Sequence, residues 1–250
     1  MNQSNAPAPG SNEQRAVESY FGELLEHLET LRGRLEGHLP ALGEHPESEP
    51  LDELVQESIQ QLRQRIRLPL SGAGFVAVED YLADARWHMA WWQGPELARR
   101  LLVAMETAGD IYTRREWFSI PITEHRVHIA GPYVDFLCTD DFTLTFTAPV
   151  EIAGQVVGVV GFDLLVADFE EPMSRVLAQI NPRATVINAH GKVLASASAQ
   201  LACGARLVRG WEGENLHGHQ LSHADGTQQR VDINVLTGLP LALVTPTSGH

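Results

Sequence analysis

The sequence predicts an α+β protein in which long N-terminal helices are followed by antiparallel sheet modules. Three observations lead to this class. Early in the chain, apolar residues recur three and four positions apart, which is typical of amphipathic helices. From Phe142 onward, alternating apolar segments are separated by turns that contain Gly or Asn, which is typical of antiparallel strands. With 250 residues and 44% hydrophobic content, the chain can form a substantial core.

The first 68 residues divide into a tail and a helical region. Residues 1–12 are rich in Pro, Ser and Asn and are predicted to form a disordered tail. Residues 13–68 are predicted to form two helices, the first ending at Pro40 and the second before Pro69. The first helix carries an apolar seam at heptad spacing, made of Val17, Phe21, Leu24, Leu28, Leu31, Leu35 and Leu39. This seam either packs against the second helix of the same chain or pairs with a second subunit, and we favour the homodimer.

The next region, residues 69–169, is predicted to be the main module. Helices are predicted from Glu79 to Gly94 and over Pro95–Thr107. The segments that follow Phe142 and Gln155 read as two strands of an antiparallel hairpin, with the turn near Ala153 and Gly154. A smaller module is predicted at residues 170–250, with one helix followed by hairpins, one of which turns at residues 224–227.

Charged and aromatic side chains concentrate in the main module. Arg115, Trp117 and Phe118 stand close together, and the segment Gly131–Asp135 reads as a turn that presents Tyr133 and Asp135. Asp163 lies inside an apolar strand, where a carboxylate is costly to bury unless it meets a cation or several hydrogen-bond donors. A guanidinium binds a carboxylate through two parallel hydrogen bonds, and a carboxylate accepts hydrogen bonds from an ammonium group. Together these groups suit a zwitterionic ligand.

Three tryptophans in the predicted helix, Trp87, Trp91 and Trp92, have two explanations. Their aromatic faces can form the walls of a cage around a cation. They can equally belong to the core, because tryptophan buries a large area.

Several motifs of the main module resemble those of the Cache (PDC-type) sensor domains. They are Arg115-x-Trp117-Phe118, Gly131-Pro-Tyr133-x-Asp135 and Gly158-Val-Val-Gly-x-Asp163. Cache domains are extracytoplasmic ligand-binding modules of chemoreceptors and sensor kinases, with a PAS-like fold and a long N-terminal helix. The resemblance is strong over residues 109–167 and implies PAS-like sheet modules, with residues 170–250 similar to the second module of tandem Cache proteins.

The resemblance also implies roles for individual residues. In the amino-acid-binding subset of this family, the Arg and Trp of R-x-W hold the ligand carboxylate, and the aspartates receive its amine. These roles fall on Arg115 and Trp117 for the carboxylate and on Asp135 and Asp163 for the amine, with Tyr133 lining the pocket. Tyr112 and Phe118 complete the predicted set, together with the three tryptophans. The ligand predicted on this basis is an amino acid, an amine or a small carboxylate.

Composition and short motifs lead to further expectations about binding partners, location and metal sites. The chain has 32 acidic and 18 basic residues and a net charge of −14, so we expect neither nucleic-acid nor membrane-surface binding. It carries no signal-peptide pattern and no apolar segment long enough for a membrane span, so we expect a cytoplasmic protein. Cys138 and Cys203 lack metal or disulfide spacing, and the histidines at 217, 219 and 223 read as solvated.

No catalytic motif is recognisable, so we predict neither an enzyme nor a cofactor or metal site. The function predicted from the sequence is a cytoplasmic sensor of an amino acid or amine that signals to an unknown protein partner. Two alternatives stay open. The chain is a dimeric interaction scaffold whose pocket is filled by its own side chains, or an enzyme acting on amines.

Overall fold

The computed structural model describes residues 12–66, 70–102, 112–134, 141–209, 211, 213–222 and 228–247. Two compact units divide the chain: one spans Glu23–Glu171, and the other combines Met1–Gly22 with Pro172–His250. The domain boundaries predicted from the sequence stay a prediction. The α-helices in the described part of the chain are α1 (Asn12–His38), α2 (Ser48–Arg63), α3 (Glu116–Glu124) and α4 (Val166–Ile180).

Eleven strands follow in the described residues and form two antiparallel sheets. The first sheet contains β1 (Leu70–Ala77), β2 (Met89–Gln93), β3 (Arg99–Arg100), β4 (His128–Val134), β5 (Phe142–Ile152) and β6 (Gln155–Leu165), in the order β3-β2-β1-β6-β5-β4. The second contains β7 (Thr185–Asn188), β8 (Val193–Ser196), β9 (Leu216–Ser222), β10 (Gln228–Val235) and β11 (Leu241–Pro246), in the order β8-β7-β11-β10-β9. The predicted α+β class is confirmed.

The apolar seam of α1 is buried inside the single chain. All seven seam residues, from Val17 to Leu39, are at most 2% exposed. Arg34 of α1 bonds to α2, through its Nε to the Ser58 hydroxyl at 3.0 Å and through its Nη2 to the Glu57 carboxylate at 2.8 Å. Burial within the chain therefore supports intrachain packing as the explanation of the seam. The homodimer stays a prediction, and it would need another surface.

The first sheet is built around the long hairpin of β5 and β6. Its turn is formed by Ala153 and Gly154, which both have positive φ, at 52° and 83°, as a two-residue hairpin turn requires. The turn predicted from the sequence is confirmed. On one face of the sheet, Phe146 and Phe162 stack with ring centroids 5.2 Å apart. α2 lies against β1 and β2, and α3 lies against β4, β5 and β6.

Two predicted helices are wrong in the residues that the structure describes. Residues 79–88 form turns and bends, and Met89–Gln93 is strand β2, paired with β1. Pro95–Leu97 is a short 3-10 turn and Arg99–Arg100 is strand β3, while residues 103–107 lie outside the described part. The cause is that β2 is buried on both faces, so its sequence shows no alternation, and the spacing of the tryptophans imitates a helix.

The segment Gly131–Asp135 is also different from its prediction. Residues 131–134 continue strand β4 instead of forming a turn, with an irregularity in the pairing between Ala130 and Tyr133. The conformation of Gly131 explains the irregularity. Its φ is +109°, and a Cβ there would lie 2.5 Å from the Thr143 carbonyl oxygen.

The unit that contains the second sheet has a core of its own. Its buried apolar residues are Ile187, Val208, Trp211, Leu221, Val231, Ile233, Ala242 and Val244. β9 and β10 pair as the sequence predicts, and the predicted turn at 224–227 lies outside the described residues. Residues 1–11 of the predicted tail also lie outside them, and its last residue, Asn12, is the first residue of α1. No helix in the described part of the chain combines the length and apolar character that a membrane crossing requires.

The burial of the seam leads to a stability prediction. Leu35→Ala should lower the free energy of unfolding by about 2–5 kcal/mol, because Leu35 is fully buried and its loss leaves a cavity. Gly33→Ala is the control on the same helix. It is exposed with open space around it, so it should raise the free energy of unfolding by up to about 1 kcal/mol. Urea unfolding of both variants checks this, and equal effects would contradict the assignment of the seam.

A second prediction concerns the loop that precedes β2. The Asp84 carboxylate accepts hydrogen bonds from the backbone N–H of Ser48 (2.9 Å) and from its hydroxyl (2.7 Å), which ties the loop to the start of α2. The Ser48 hydroxyl holds the pKa of Asp84 below its usual value. Because the pKa is lowered on folding, this stabilisation is present above the ordinary carboxyl pKa of about 4 and is lost as the pH falls further.

Asp84→Asn should therefore lower the melting temperature at pH 7, and the difference from the unaltered protein should shrink below about pH 4. Asp80→Asn, an exposed carboxyl in the same loop, is the control. A difference as large at about pH 2 as at pH 7 would contradict this account.

Candidate functional site

One face of the first sheet carries polar side chains and glycines, and we call it the pocket face. Across the strands, Asp163 of β6 lies opposite Gly72 of β1 and Thr145 of β5. The next row on the same face joins Trp91, Gly74, Gly161, Thr147 and His128, taken in order from β2 to β4. Side chains two residues apart on a strand share a face, so both rows open to the same side.

The Asp163 carboxylate is buried and hydrogen-bonded. Asp163 is only 4% exposed, and the Thr145 hydroxyl donates a hydrogen bond to its Oδ1 at 2.6 Å. The Tyr133 hydroxyl lies 2.5 Å from that of Thr145. Because Thr145 has already given its one proton to Asp163, Tyr133 is the donor in this second bond. The chain Tyr133–Thr145–Asp163 thus fixes one carboxylate oxygen in the middle of the sheet.

The Trp91 indole crosses the glycines of β1 toward this carboxylate. A Cβ on Gly72 would lie 2.5 Å from Trp91 Nε1 and 2.9 Å from Asp163 Oδ2, so both atoms meet over the same glycine. A Cβ on Gly74 would lie 2.2 Å from the Ala90 carbonyl oxygen and 2.8 Å from Trp91 Cε3. The indole is 5% exposed, yet its N–H has no hydrogen-bond partner among the described residues. A buried donor that lacks a partner costs about 1–3 kcal/mol.

An aromatic cluster continues the pocket face beyond Trp91. Tyr112 stacks on Trp117 at 6.1 Å between centroids and meets Trp87 and Phe118 edge-on at 5.9 and 5.2 Å. Tyr112 and Phe118 pack in one apolar cluster with Trp91. The Tyr112 hydroxyl is buried without a partner in the described part of the chain, and burial raises the pKa of this phenol, with the charge of Glu79 adding to the effect. Tyr112 therefore stays protonated and able to donate.

The structure separates one member of the predicted set, Trp92, from the others. Trp92 follows Trp91 on β2 and faces the opposite side of the sheet. There the Arg100 guanidinium lies 5.7 Å from its ring, and Arg100 pairs with Asp52 of α2 at 2.6 Å. Trp92 thus lies apart from Asp163. Asp135 lies outside the described residues.

Arg115 stands at the start of α3. It occupies the N-cap position, its side chain is exposed, and its guanidinium forms no hydrogen bond or ion pair with another described residue. Its neighbour Trp117 is half-buried against Tyr112. The structure therefore brings together Asp163, Tyr133, Trp91, Tyr112, Trp117, Phe118 and Trp87 on the pocket side, and leaves Arg115 uncommitted at its edge.

The predicted set of site residues left out three residues of the pocket face. Thr145 holds Asp163, Gly72 leaves space for the indole, and His128 lies buried on β4. The alternation of Thr143, Thr145 and Thr147 in an otherwise apolar strand was the available indication, because buried hydroxyls require partners. Gly72 had no such indication, since its role depends on pairing with a strand elsewhere in the sequence.

The chemistry available is binding. The site offers one carboxylate, an indole N–H, a phenol and aromatic walls, which suit an ammonium group and a neighbouring hydrogen-bond acceptor. Within the described residues, no group of three or more His, Cys, Asp or Glu side chains is arranged to hold a metal ion.

One segment of the chain matches a known family of sensor domains. Residues 99–171 match the family model described as the first PDC sensor domain of methyl-accepting chemotaxis protein-like proteins. The resemblance to PDC-type sensor domains predicted from the sequence is confirmed for that segment. A search of curated proteins gave no significant match.

Solved structures share the fold over almost the whole chain. The ligand-binding domain of the Pseudomonas aeruginosa PAO1 amino acid chemoreceptor PctC, in complex with GABA, is 18% identical, with 93% of each chain covered and a TM-score of 0.56. The domain of the Pseudomonas fluorescens chemoreceptor CtaA, in complex with L-isoleucine, is 15% identical, with 94% of this chain and 87% of that chain covered and a TM-score of 0.59.

The sensory domain of the Campylobacter jejuni chemoreceptor Tlp3 is similar in the same way. It is 12% identical, with 95% of this chain and 89% of that chain covered and a TM-score of 0.63. At these identities the likeness concerns the fold. The predicted fold, a long N-terminal helix followed by two antiparallel sheets as in Cache domains, is confirmed.

The bond between Thr145 and Asp163 gives a stability prediction. Thr145→Val removes a donor from a buried carboxylate while keeping the side-chain volume, so it should lower the free energy of unfolding by about 1.5–3 kcal/mol. Thr147→Val is the matched control, on the same strand and face, where the hydroxyl makes a long 3.4 Å bond to a neutral carbonyl. Chemical denaturation of both variants checks this. A smaller loss for Thr145→Val than for Thr147→Val would contradict the assignment.

Proposed function

We propose that this chain is a ligand-binding sensor module for an amino acid or a related amine, bound on the pocket face of the first sheet. Asp163 receives the ammonium group, and Trp91 donates its indole N–H to an acceptor on the same ligand. Tyr133 and Thr145 hold the Asp163 carboxylate in place, and the aromatic cluster around Tyr112 forms one wall of the binding site. We propose Arg115 and Trp117 as the contacts of the ligand carboxylate, with Asp135 as a second contact of the amine.

The observation that carries the proposal is the meeting of two buried polar groups over Gly72. A buried carboxylate and a buried N–H that has no partner among the described residues both lie within 2.9 Å of the point where a Cβ of Gly72 would stand. A ligand with a donor and an acceptor on neighbouring atoms satisfies both, and an α-amino acid has this arrangement. The matched family model, which describes a sensor domain, supports a binding function and not catalysis.

A second candidate function is a dimeric scaffold that binds no ligand. One observation favours it: the Trp91 indole itself covers Gly72 and Gly74, so a side chain of the protein occupies part of the pocket face. In this case the unpartnered N–H is a tolerated cost. The two candidates differ in whether an added ligand stabilises the protein.

The remaining features of the predicted function stay predictions. They are the cytoplasmic location, the homodimer and the protein partner that receives the signal. An enzyme acting on amines is the less supported alternative, and it is separated from a sensor by measuring product formation with any ligand that binds.

The proposal is tested by binding to the common L-amino acids and a set of small amines. The unaltered protein should be stabilised by one class of them in thermal unfolding, and titration calorimetry then gives the affinity. Asp163→Asn should weaken binding roughly tenfold to hundredfold, because it removes a charged acceptor. Trp91→Phe should weaken it about twofold to tenfold and keep the aromatic wall.

Trp92→Phe is the matched control, since Trp92 lies on the same strand and faces away from the site. It should leave the affinity unchanged. Absence of stabilisation by every compound would favour the scaffold. Equal losses for Trp91→Phe and Trp92→Phe would show that the pocket face is wrongly assigned.

A further inference from the structure

His128 is a buried side chain on the pocket face that the proposed contacts do not use. It begins β4 and lies opposite Thr147 of β5, in the same cross-strand row as Gly161 of β6. Asp163 lies two residues from Gly161 on β6 and so faces the same side. His128 and Asp163 are two strands apart, a lateral distance of about 10 Å between backbones.

The imidazole of His128 is buried. The residue is 5% exposed, and neither Nδ1 nor Nε2 has a partner among the described residues. The nearest carboxylate oxygen, Oε2 of Glu116 on α3, is 3.8 Å from Nε2 and beyond hydrogen-bond distance. A buried imidazole that leaves both nitrogens unpaired is destabilising, so its retention calls for a partner that arrives from outside.

No bulky side chain rises between His128 and the proposed anchor. Gly161 has no side chain, and the atoms nearest to a Cβ built there all belong to Phe146 and Thr147 of the adjacent strand. The Thr147 methyl carbon lies 2.8 Å from that position, and its hydroxyl points to the His128 carbonyl oxygen. Between Trp91 and His128, the row therefore contains only Gly74, Gly161 and Thr147.

We propose that His128 determines specificity by contacting the side chain of the bound ligand. A neutral imidazole offers one donor and one acceptor, so it favours a ligand whose side chain carries a hydroxyl or amide group over one of the same shape that is apolar. This inference rests on the proposed function, because Asp163 anchors the amine and the ligand side chain then extends over Gly161 toward His128.

The inference is tested with pairs of amino acids of similar shape, threonine against valine and asparagine against leucine. The affinity of the full chain for each is measured by calorimetry. The unaltered protein should prefer the polar member of a pair, and His128→Leu should reduce that preference roughly tenfold. His128→Gln, which keeps a donor and an acceptor, should retain part of it. His125→Leu, an exposed histidine paired with Glu151, is the control and should change nothing.

The outcomes separate this inference from the proposed function. A purely structural His128 would lower the melting temperature in His128→Leu but keep the ratio of affinities within each pair, and that result would overturn the inference. If Asp163→Asn still loses binding in that case, the proposed function stands. If His128→Leu does not fold, the ratio in His128→Gln decides, and an unchanged ratio there overturns the inference. If the unaltered protein binds none of these four amino acids, the inference is overturned, while the proposed function is decided by the wider set of amino acids and amines.

Discussion

The need to satisfy a buried carboxylate in the middle of a sheet organises the first unit of this protein. Asp163 stands on a central strand, with β1 on one side and β5 on the other. Burying a charge there is costly without close donors, and the Thr145 hydroxyl on the neighbouring strand donates to it. The Tyr133 hydroxyl on the next strand donates in turn to Thr145. A sheet that served only as a core would hold an apolar residue at this position. The cost of the carboxylate is therefore best explained by a ligand.

Glycines on the pocket face repeat the same compromise between stability and binding. Gly72, Gly74 and Gly161 weaken the strands that contain them, because glycine loses more conformational entropy on folding than other residues. In return, Gly72 and Gly74 let an indole cross β1, and Gly161 avoids a clash with the Phe146 carbonyl oxygen and the Thr147 methyl group. On the opposite face, Phe146 and Phe162 stack as part of the core. The two faces of one sheet thus divide structure from binding.

The sequence was sufficient for some of this and not for the rest. The seam of α1, the hairpin turn at Gly154 and the unusual position of Asp163 are encoded in local patterns, which the structure confirms. Trp91 and Trp92 were predicted on a helix because a strand buried on both faces has no alternation, and only pairing with β1 shows that they point apart. The meeting of Trp91 with Asp163 over Gly72 joins three distant segments, so no local pattern could indicate it.

The central claim is that the Trp91 N–H and the Asp163 carboxylate bind one ligand together. The most direct measurement is NMR of the indole N–H groups, because the chain has only five tryptophans. Trp91→Phe and Trp92→Phe assign the two signals, and a mixture of the common L-amino acids is then titrated into the unaltered protein. The account predicts that the Trp91 signal moves downfield with saturation while the Trp92 signal stays. Binding that leaves the Trp91 signal in place would contradict it.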